Sequence, residues 1–215
     1  MKINLFIAMA ALMICGCSQF TEHDAAPSCT INAPASIEAT IEEPQESTRT
    51  YVDNDNTLHW TANDEISYFP GVAVNMQHRF SGETGAIGGS FDRVSSESVS
   101  GTALSCNYAL YPYDKSTSVA TNGSISYTLP DVQYYAEESF GLGANVMVAA
   151  TKDTNDNVLR FKNVCGYLEI QLYGTNAKVK SITFRGNKDE KIAGAATITA
   201  RYEQNPTIEM SNEAT

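Results

Sequence analysis

Apolar and polar residues alternate with a period of two along much of this chain. Ile37, Ala39 and Ile41 are interleaved with Glu38, Thr40 and Glu42, the pattern of a strand with one face buried and one in water. Similar alternation, or a short apolar run between turn residues, predicts strands at 58–60, 66–69, 76–80, 107–111, 124–129, 146–150 and 158–161. More follow at 167–172, 179–184, 195–199 and 207–210. Between them lie turn formers that supply positive φ or side-chain caps: Asp53-Asn54-Asp55-Asn56, Ser81-Gly82, Asn122-Gly123, residues 153–157 and Arg185-Gly186-Asn187. Beyond the first residues no stretch sustains a helical period, and the modest exception is a turn or two around 133–138. Many short strands at intervals of about ten residues predict an all-β, antiparallel sandwich.

The opening residues break this pattern. Lys2 precedes an apolar run from Leu5 to Ile14, which is too short to cross a bilayer as a helix and has the length of a signal-peptide core. Ile14 three residues before Cys17, and Gly16 directly before it, resemble a lipobox. Residues 1–16 therefore read as a lipoprotein signal and Cys17 as the acylated first residue of the mature chain. Cys15 fits less well, because bulky Ile14 would sit where a small residue is needed. The plainer alternative is an ordinary secretory peptide or an uncleaved anchor. Residues 17–35 are mostly small and polar and read as a flexible tether between lipid and folded body.

Composition then limits the chemistry. Hydrophobic residues make up 42% of the chain and charged residues 18%, enough apolar surface for a sizeable core. A formal net charge of -11 repels phosphate backbones, so no nucleic-acid partner is expected. The histidines are His23, His59 and His78; His59 beside Trp60 reads as an outward-facing strand residue. Neither a Gly-x-Ser-x-Gly elbow nor a His-Glu-x-x-His motif occurs, so no catalytic residue, metal ligand or cofactor is assigned and the chain is not expected to be an enzyme. With Cys17 acylated, Cys29, Cys106 and Cys165 remain. Cys106 and Cys165 read as buried free thiols, with one disulfide left open as an alternative.

Other motifs read as structural. Gly82, Gly85, Gly88 and Gly89 lack the Lys-Ser or Lys-Thr of a phosphate loop and fit a loop or bulge beside a strand. Residues 53–56 and 153–157 lack the Gly and terminal Glu of a calcium loop and read as hairpin turns. Tyr108, Tyr111, Tyr113, Tyr127, Tyr134 and Tyr135 crowd together in sequence. They read as core-edge residues, with a sugar-stacking or protein-contact platform as the alternative.

The order of several segments resembles the fimbrillin-like lipoproteins of Bacteroides and related bacteria. They are Thr48-Arg49-Thr50-Tyr51, then Leu58-His59-Trp60-Thr61-Ala62-Asn63-Asp64-Glu65-Ile66-Ser67-Tyr68-Phe69, Ala109-Leu110-Tyr111-Pro112-Tyr113, and Leu129-Pro130 with Gln133-Tyr134. Phe161-Lys162-Asn163-Val164-Cys165-Gly166-Tyr167-Leu168 and Ile182-Thr183-Phe184-Arg185-Gly186-Asn187 complete the set. The resemblance implies transthyretin-like, Greek-key β domains: an N-terminal one over residues 36–158 and the opening strands of a second, incomplete one over 159–215. It also implies anchorage in the outer membrane, facing outward, and a role in fimbria assembly and adhesion. In the family's pilins an arginine-specific protease removes an early strand and a neighbour's strand fills the groove. Mapped here, Ile37, Ala39 and Ile41 mark the removable strand and Arg49 the cut site. Implied partners are other fimbrial subunits or host surface ligands. The alternative is a surface lipoprotein that binds glycans or host proteins without polymerising.

Overall fold

The computed structural model describes residues 28–42, 58–95, 97–136, 140–141, 144–166, 168, 170–175 and 178–214. Among these the chain is all-β. The first strands are β1 (Ser28–Asn32), β2 (Ser36–Ile41), β3 (Glu65–Phe69), β4 (Met76–Phe80), β5 (Gly88–Arg93) and β6 (Ser98–Thr102). Next come β7 (Tyr108–Tyr111), β8 (Ser118–Val119), β9 (Ser124–Leu129) and β10 (Met147–Ala150). The last are β11 (Val158–Asn163), β12 (Gly194–Thr199) and β13 (Thr207–Met210).

Seven of these strands close on themselves. The hydrogen-bonded order is β10, β11, β2, β5, β4, β3, β7, and β7 returns to β10. Neighbours run antiparallel except β2 and β11, which pair in parallel from Glu38 with Val158 to Ile41 with Phe161. Period-two alternation sends one side-chain set of each strand inward, and in a barrel this narrow those side chains fill the lumen. Ile37, Ala39, Ile66, Tyr68, Phe80, Phe91, Met147, Leu159 and Phe161 form that core. Trp60, held outside the strands by a bridge to Ala86, lies among them. Its ring meets Phe91, Phe161 and Tyr111 edge to face at centroid distances of 4.9, 5.3 and 5.4 Å.

A second layer covers one wall. β13, β12, β9 and β8 form a four-stranded sheet in that order. Ile125, Tyr127 and Ile198 of this sheet share a core with Phe69, Leu110 and Val148, which point out of the barrel. Strands β7 and β10 are therefore apolar on both faces, and β3 adds Phe69 to the outer one. Within β7, Ala109 and Tyr111 look into the lumen while Tyr108 and Leu110 look toward the covering sheet. Asn122-Gly123 turns β8 into β9 as its sequence predicts, with Gly123 at φ 84° and the Ser124 amide donating to Asn122 Oδ1 at 3.0 Å.

The sequence predicts a sandwich, and the structure bends the first sheet into a closed barrel instead. The parallel β2–β11 seam joins what would otherwise be two open edges. Strands β1, β5, β6 and β8 escape the sequence pattern because they are short or rich in Ser and Gly. Only Phe91 in β5 and Val119 in β8 are buried apolar side chains among them. Strand β1 falls inside the segment read as tether, where it pairs with β6 from Ser28–Thr102 to Asn32–Ser98. The boundary placed between residues 158 and 159 falls at the start of β11, which is hydrogen-bonded to β10 and β2 within the barrel. Strands expected at 167–172 and 179–184 are not formed among the described residues. Their apolar side chains face solvent, Leu168 at 63% and Phe184 at 61% exposure.

Candidate functional site

Strand β2 has both edges occupied. On one side Ile37 pairs with Phe91 and Ala39 with Gly89; on the other Ala39 pairs with Leu159 and Ile41 with Phe161. Ile37 and Ala39 are buried in the lumen and Ile41 is half-buried at its rim. The three sequence-selected residues thus lie on one face of one strand. At the strand's end, the Ile41 amide donates to Ile87 O at 2.9 Å, and just past it the Glu42 amide donates to Phe161 O at 2.8 Å. Lys162 Nζ lies 3.3 Å from Glu42 Oε2. On the outer face the Ser90 hydroxyl donates to Glu38, and ahead of the strand the Arg93 guanidinium donates to Ala33 O. Cys17 and Arg49 lie outside the described residues.

Close backbone approach explains the glycines beside it. A Cβ on Gly88 would stand 3.0 Å from Thr40 Cγ2 and 3.1 Å from Ala39 O, so a side chain there would press on β2. Gly88 and Gly89 lie within β5 itself and not in a loop or bulge beside a strand, and a Cβ on Gly89 would stand 3.0 Å from the Phe80 ring.

Asp64 and Tyr111 are paired beside the lumen, whereas Trp60 Nε1 is buried without a hydrogen-bond partner among the described residues. The Tyr111 hydroxyl donates to Asp64 Oδ1 at 3.1 Å, while the Thr61 amide donates to Asp64 Oδ2 at 2.8 Å. Burial raises the Asp64 pKa, and these two bonds oppose the rise. Burial also pushes the Tyr68 and Tyr111 hydroxyls well above their usual range. His78 is fully buried in β4, its ring 5.0 Å from that of Tyr68, and burial lowers its pKa to about 4. It is a core histidine, neutral at physiological pH. His59 is half-buried between Leu58 and Trp60, which face inward.

The tyrosines divide. Tyr108, Tyr111 and Tyr127 are buried, whereas Tyr134 and Tyr135 are 80% and 88% exposed. Burial raises the Tyr127 pKa to about 12. Residues 153–157 form the β10–β11 hairpin turn: Asp153 Oδ1 accepts the Asn155 amide at 2.8 Å and Asp156 Oδ1 accepts the Val158 amide at 3.1 Å. Cys106 is buried as expected, while Cys29 and Cys165 are half-buried, and all three are free thiols. A shallow cleft where the covering sheet leaves the barrel is lined by Arg160, Lys162 and Arg201, with Glu42 and Glu203 on the same walls. Arg160 there pairs with Asp156 at 3.4 Å.

Two features carry no motif. One is the outer edge of β13, open among the described residues; the other is the set of solvent-facing apolar side chains described between Leu168 and Phe184. The second was legible as alternation, but alternation reports a strand's potential and not whether a partner is present.

No family model, curated protein or solved structure matches this chain.

Proposed function

We propose that the protein is a surface-anchored, fimbrillin-like structural lipoprotein acting in fimbria assembly and adhesion. The observation that carries this reading is the position of β2. It lies N-terminal to Arg49 and is hydrogen-bonded on both edges inside a closed barrel. Cutting at Arg49 and releasing β2 would open β5 and β11 together and expose a slot floored by Phe91, Leu159 and Trp60. Two adjacent unpaired edges over an apolar floor make a receptor for a donated strand. The lipobox around Cys17 supports anchorage, and the ordered set of family-like segments supports the assignment.

Mass spectrometry of the mature N-terminus, on protein extracted from membranes, tests both parts. An acylated Cys17 is expected on anchored protein, and an N-terminus at Thr50 on assembled protein. An unacylated chain with its leader intact overturns anchorage, and assembled material that retains β2 overturns strand release.

One observation favours a second reading, a non-polymerising lipoprotein that binds glycans or host proteins. Tyr134 and Tyr135 present their rings to solvent, as sugar-stacking residues do. Glycan-array binding lost in Tyr134→Ala and Tyr135→Ala supports it; an array without signal for the parent protein removes it.

A further inference from the structure

Apolar exposure in this molecule is concentrated. Leu168, Ile170, Leu172, Val179, Ile182 and Phe184 are each between 47% and 63% exposed, within a stretch of fewer than twenty residues. A contiguous apolar stretch of this kind on a folded body marks a contact surface. Its second half, residues 179–185, has strand composition, and from 181 onward it alternates: Ile182 and Phe184 share one face, and Ser181, Thr183 and Arg185 the other, with Lys180 at the end of the apolar face and Val179 at the end of the polar one.

The molecule also has an unfilled place of matching form. Strand β13 ends the covering sheet, and its outer edge has no neighbour among the described residues. Its inward side chains, Ile208 and Met210, pack against the second core yet stay half-buried, because the sheet stops there. One further strand with apolar residues at alternate positions would continue that face and cover both. Residues 182–185, Ile-Thr-Phe-Arg, and 207–210, Thr-Ile-Glu-Met, each offer two apolar side chains on one face. On the other face stand Thr183 and Arg185 in one segment, and Thr207 and Glu209 in the other.

Charge favours the same match. From Lys178 to Lys191 the chain carries Lys178, Lys180, Arg185, Lys188 and Lys191 against Asp189 and Glu190. From Tyr202 to Ala214 it carries Glu203, Glu209 and Glu213 and no Lys or Arg. A cationic strand-former and an anionic sheet edge attract each other, whereas two copies of either segment repel. Among the described residues both surfaces stand open.

We propose that residues 179–185 of one copy add as a strand to the outer edge of β13 in a second copy. The occupant of the edge is thus the same protein, held by backbone ladder bonds, an apolar face continuous with Ile208 and Met210, and opposite charge. This association needs no cut at Arg49 and leaves β2 in place, so it stands apart from strand release in the barrel. Reciprocal pairing gives a closed dimer; one-way pairing gives a chain of subunits.

The test uses the purified protein with Cys17→Ser, so that acyl chains do not drive association, and light scattering coupled to size exclusion. The parent is expected to show a mass of two or more chains that falls on dilution. Ile182→Asp with Phe184→Asp, both at solvent-facing positions, is expected to give the mass of one chain. Lys180→Glu with Arg185→Glu, and separately Glu203→Lys with Glu209→Lys, are each expected to be monomeric. Mixing these two charge-reversed proteins is expected to restore association. A parent that stays monomeric at every concentration overturns the proposal and signifies an edge covered within one chain or by another molecule. Association unchanged by all three variants, or charge-reversed proteins that fail to associate when mixed, also overturns it. Because no arm involves Arg49, failure here leaves strand release standing, and failure of strand release leaves this pairing standing.

Discussion

Ala39 and Leu159 are register partners across the parallel seam between β2 and β11. Both are buried in the lumen, at 0% and 1% exposure, so the pair joins the first part of the chain to a strand more than a hundred residues later. Leu159→Ala is expected to cost about 2–4 kcal/mol through lost burial and an unfilled space among aromatic rings. Urea denaturation followed by Trp60 fluorescence measures it. A loss below about 0.5 kcal/mol would mean that the seam is not closed in solution.

Ile37→Asp tests the same strand from its other edge, opposite Phe91. A carboxylate among the aliphatic and aromatic side chains of this lumen is stripped of water, so the charged form is strongly disfavoured. The expected outcome is a thermal transition lowered by at least ten degrees, or loss of cooperative unfolding at neutral pH, with partial recovery as acid protonates the new carboxyl. A transition matching the parent protein would place residue 37 outside the core.

His78 gives the fold a pH dependence of known sign. Its pKa falls from an ordinary 6.5 to about 4 in the folded chain because burial disfavours the cation, with Arg93 acting in the same direction and Asp92 against it. The unfolded chain therefore binds more protons between these values. Stability from the neutral ring is complete above about pH 6.5 and is lost as pH falls toward 4, by about 3 kcal/mol at most. His78→Leu should flatten this part of the profile in urea titrations. An unchanged slope in the variant would assign the dependence to other groups.

Asn107 holds the β10–β11 turn from outside it. Its Nδ2 donates to Asp156 O at 2.9 Å and to Thr154 O at 3.3 Å, while its amide donates to Thr151 Oγ1 at 2.9 Å. Asn107→Ala removes these two part-buried side-chain bonds, at a cost of about 1–3 kcal/mol for the pair. Faster amide exchange at residues 152–157, with the barrel strands unchanged, is the expected signature.

Gly123 combines a left-handed backbone with a close neighbour. At φ 84° a side chain is strained, and a Cβ would also lie 2.6 Å from the Tyr108 hydroxyl oxygen. Gly123→Val is expected to destabilise by about 2 kcal/mol or more. Gly123→Asn should be the mildest substitution by backbone preference, and the hydroxyl contact should keep it below the parent in a thermal melt.

The class of fold was readable because alternation is a local property. The runs at 66–69, 76–80, 124–129 and 207–210 became β3, β4, β9 and β13 with little change in their limits. The closed barrel was not readable, because closure depends on Glu38 meeting Val158, a long-range parallel pairing that no local pattern encodes. Strand β1 was masked by polar composition: Ser-Cys-Thr-Ile-Asn has the residues of a tether and is ordered by pairing with β6. The opposite failure occurred at 168–172 and 179–184, where the pattern is strong and no partner strand stands beside it among the described residues. At the site, alternation placed Ile37, Ala39 and Ile41 on one face correctly, but it gave no sign that β2 would be bounded on both sides.

Consecutive residues of β7 report to different cores: Leu110 packs under the covering sheet and Tyr111 inside the barrel. A shift of this backbone therefore disturbs two apolar interiors at once, and neither can melt while the other keeps its wall. The body should lose its structure in one step in calorimetry, with the van't Hoff and calorimetric enthalpies in agreement. A stable half-molecule would have no intact partition to fold against.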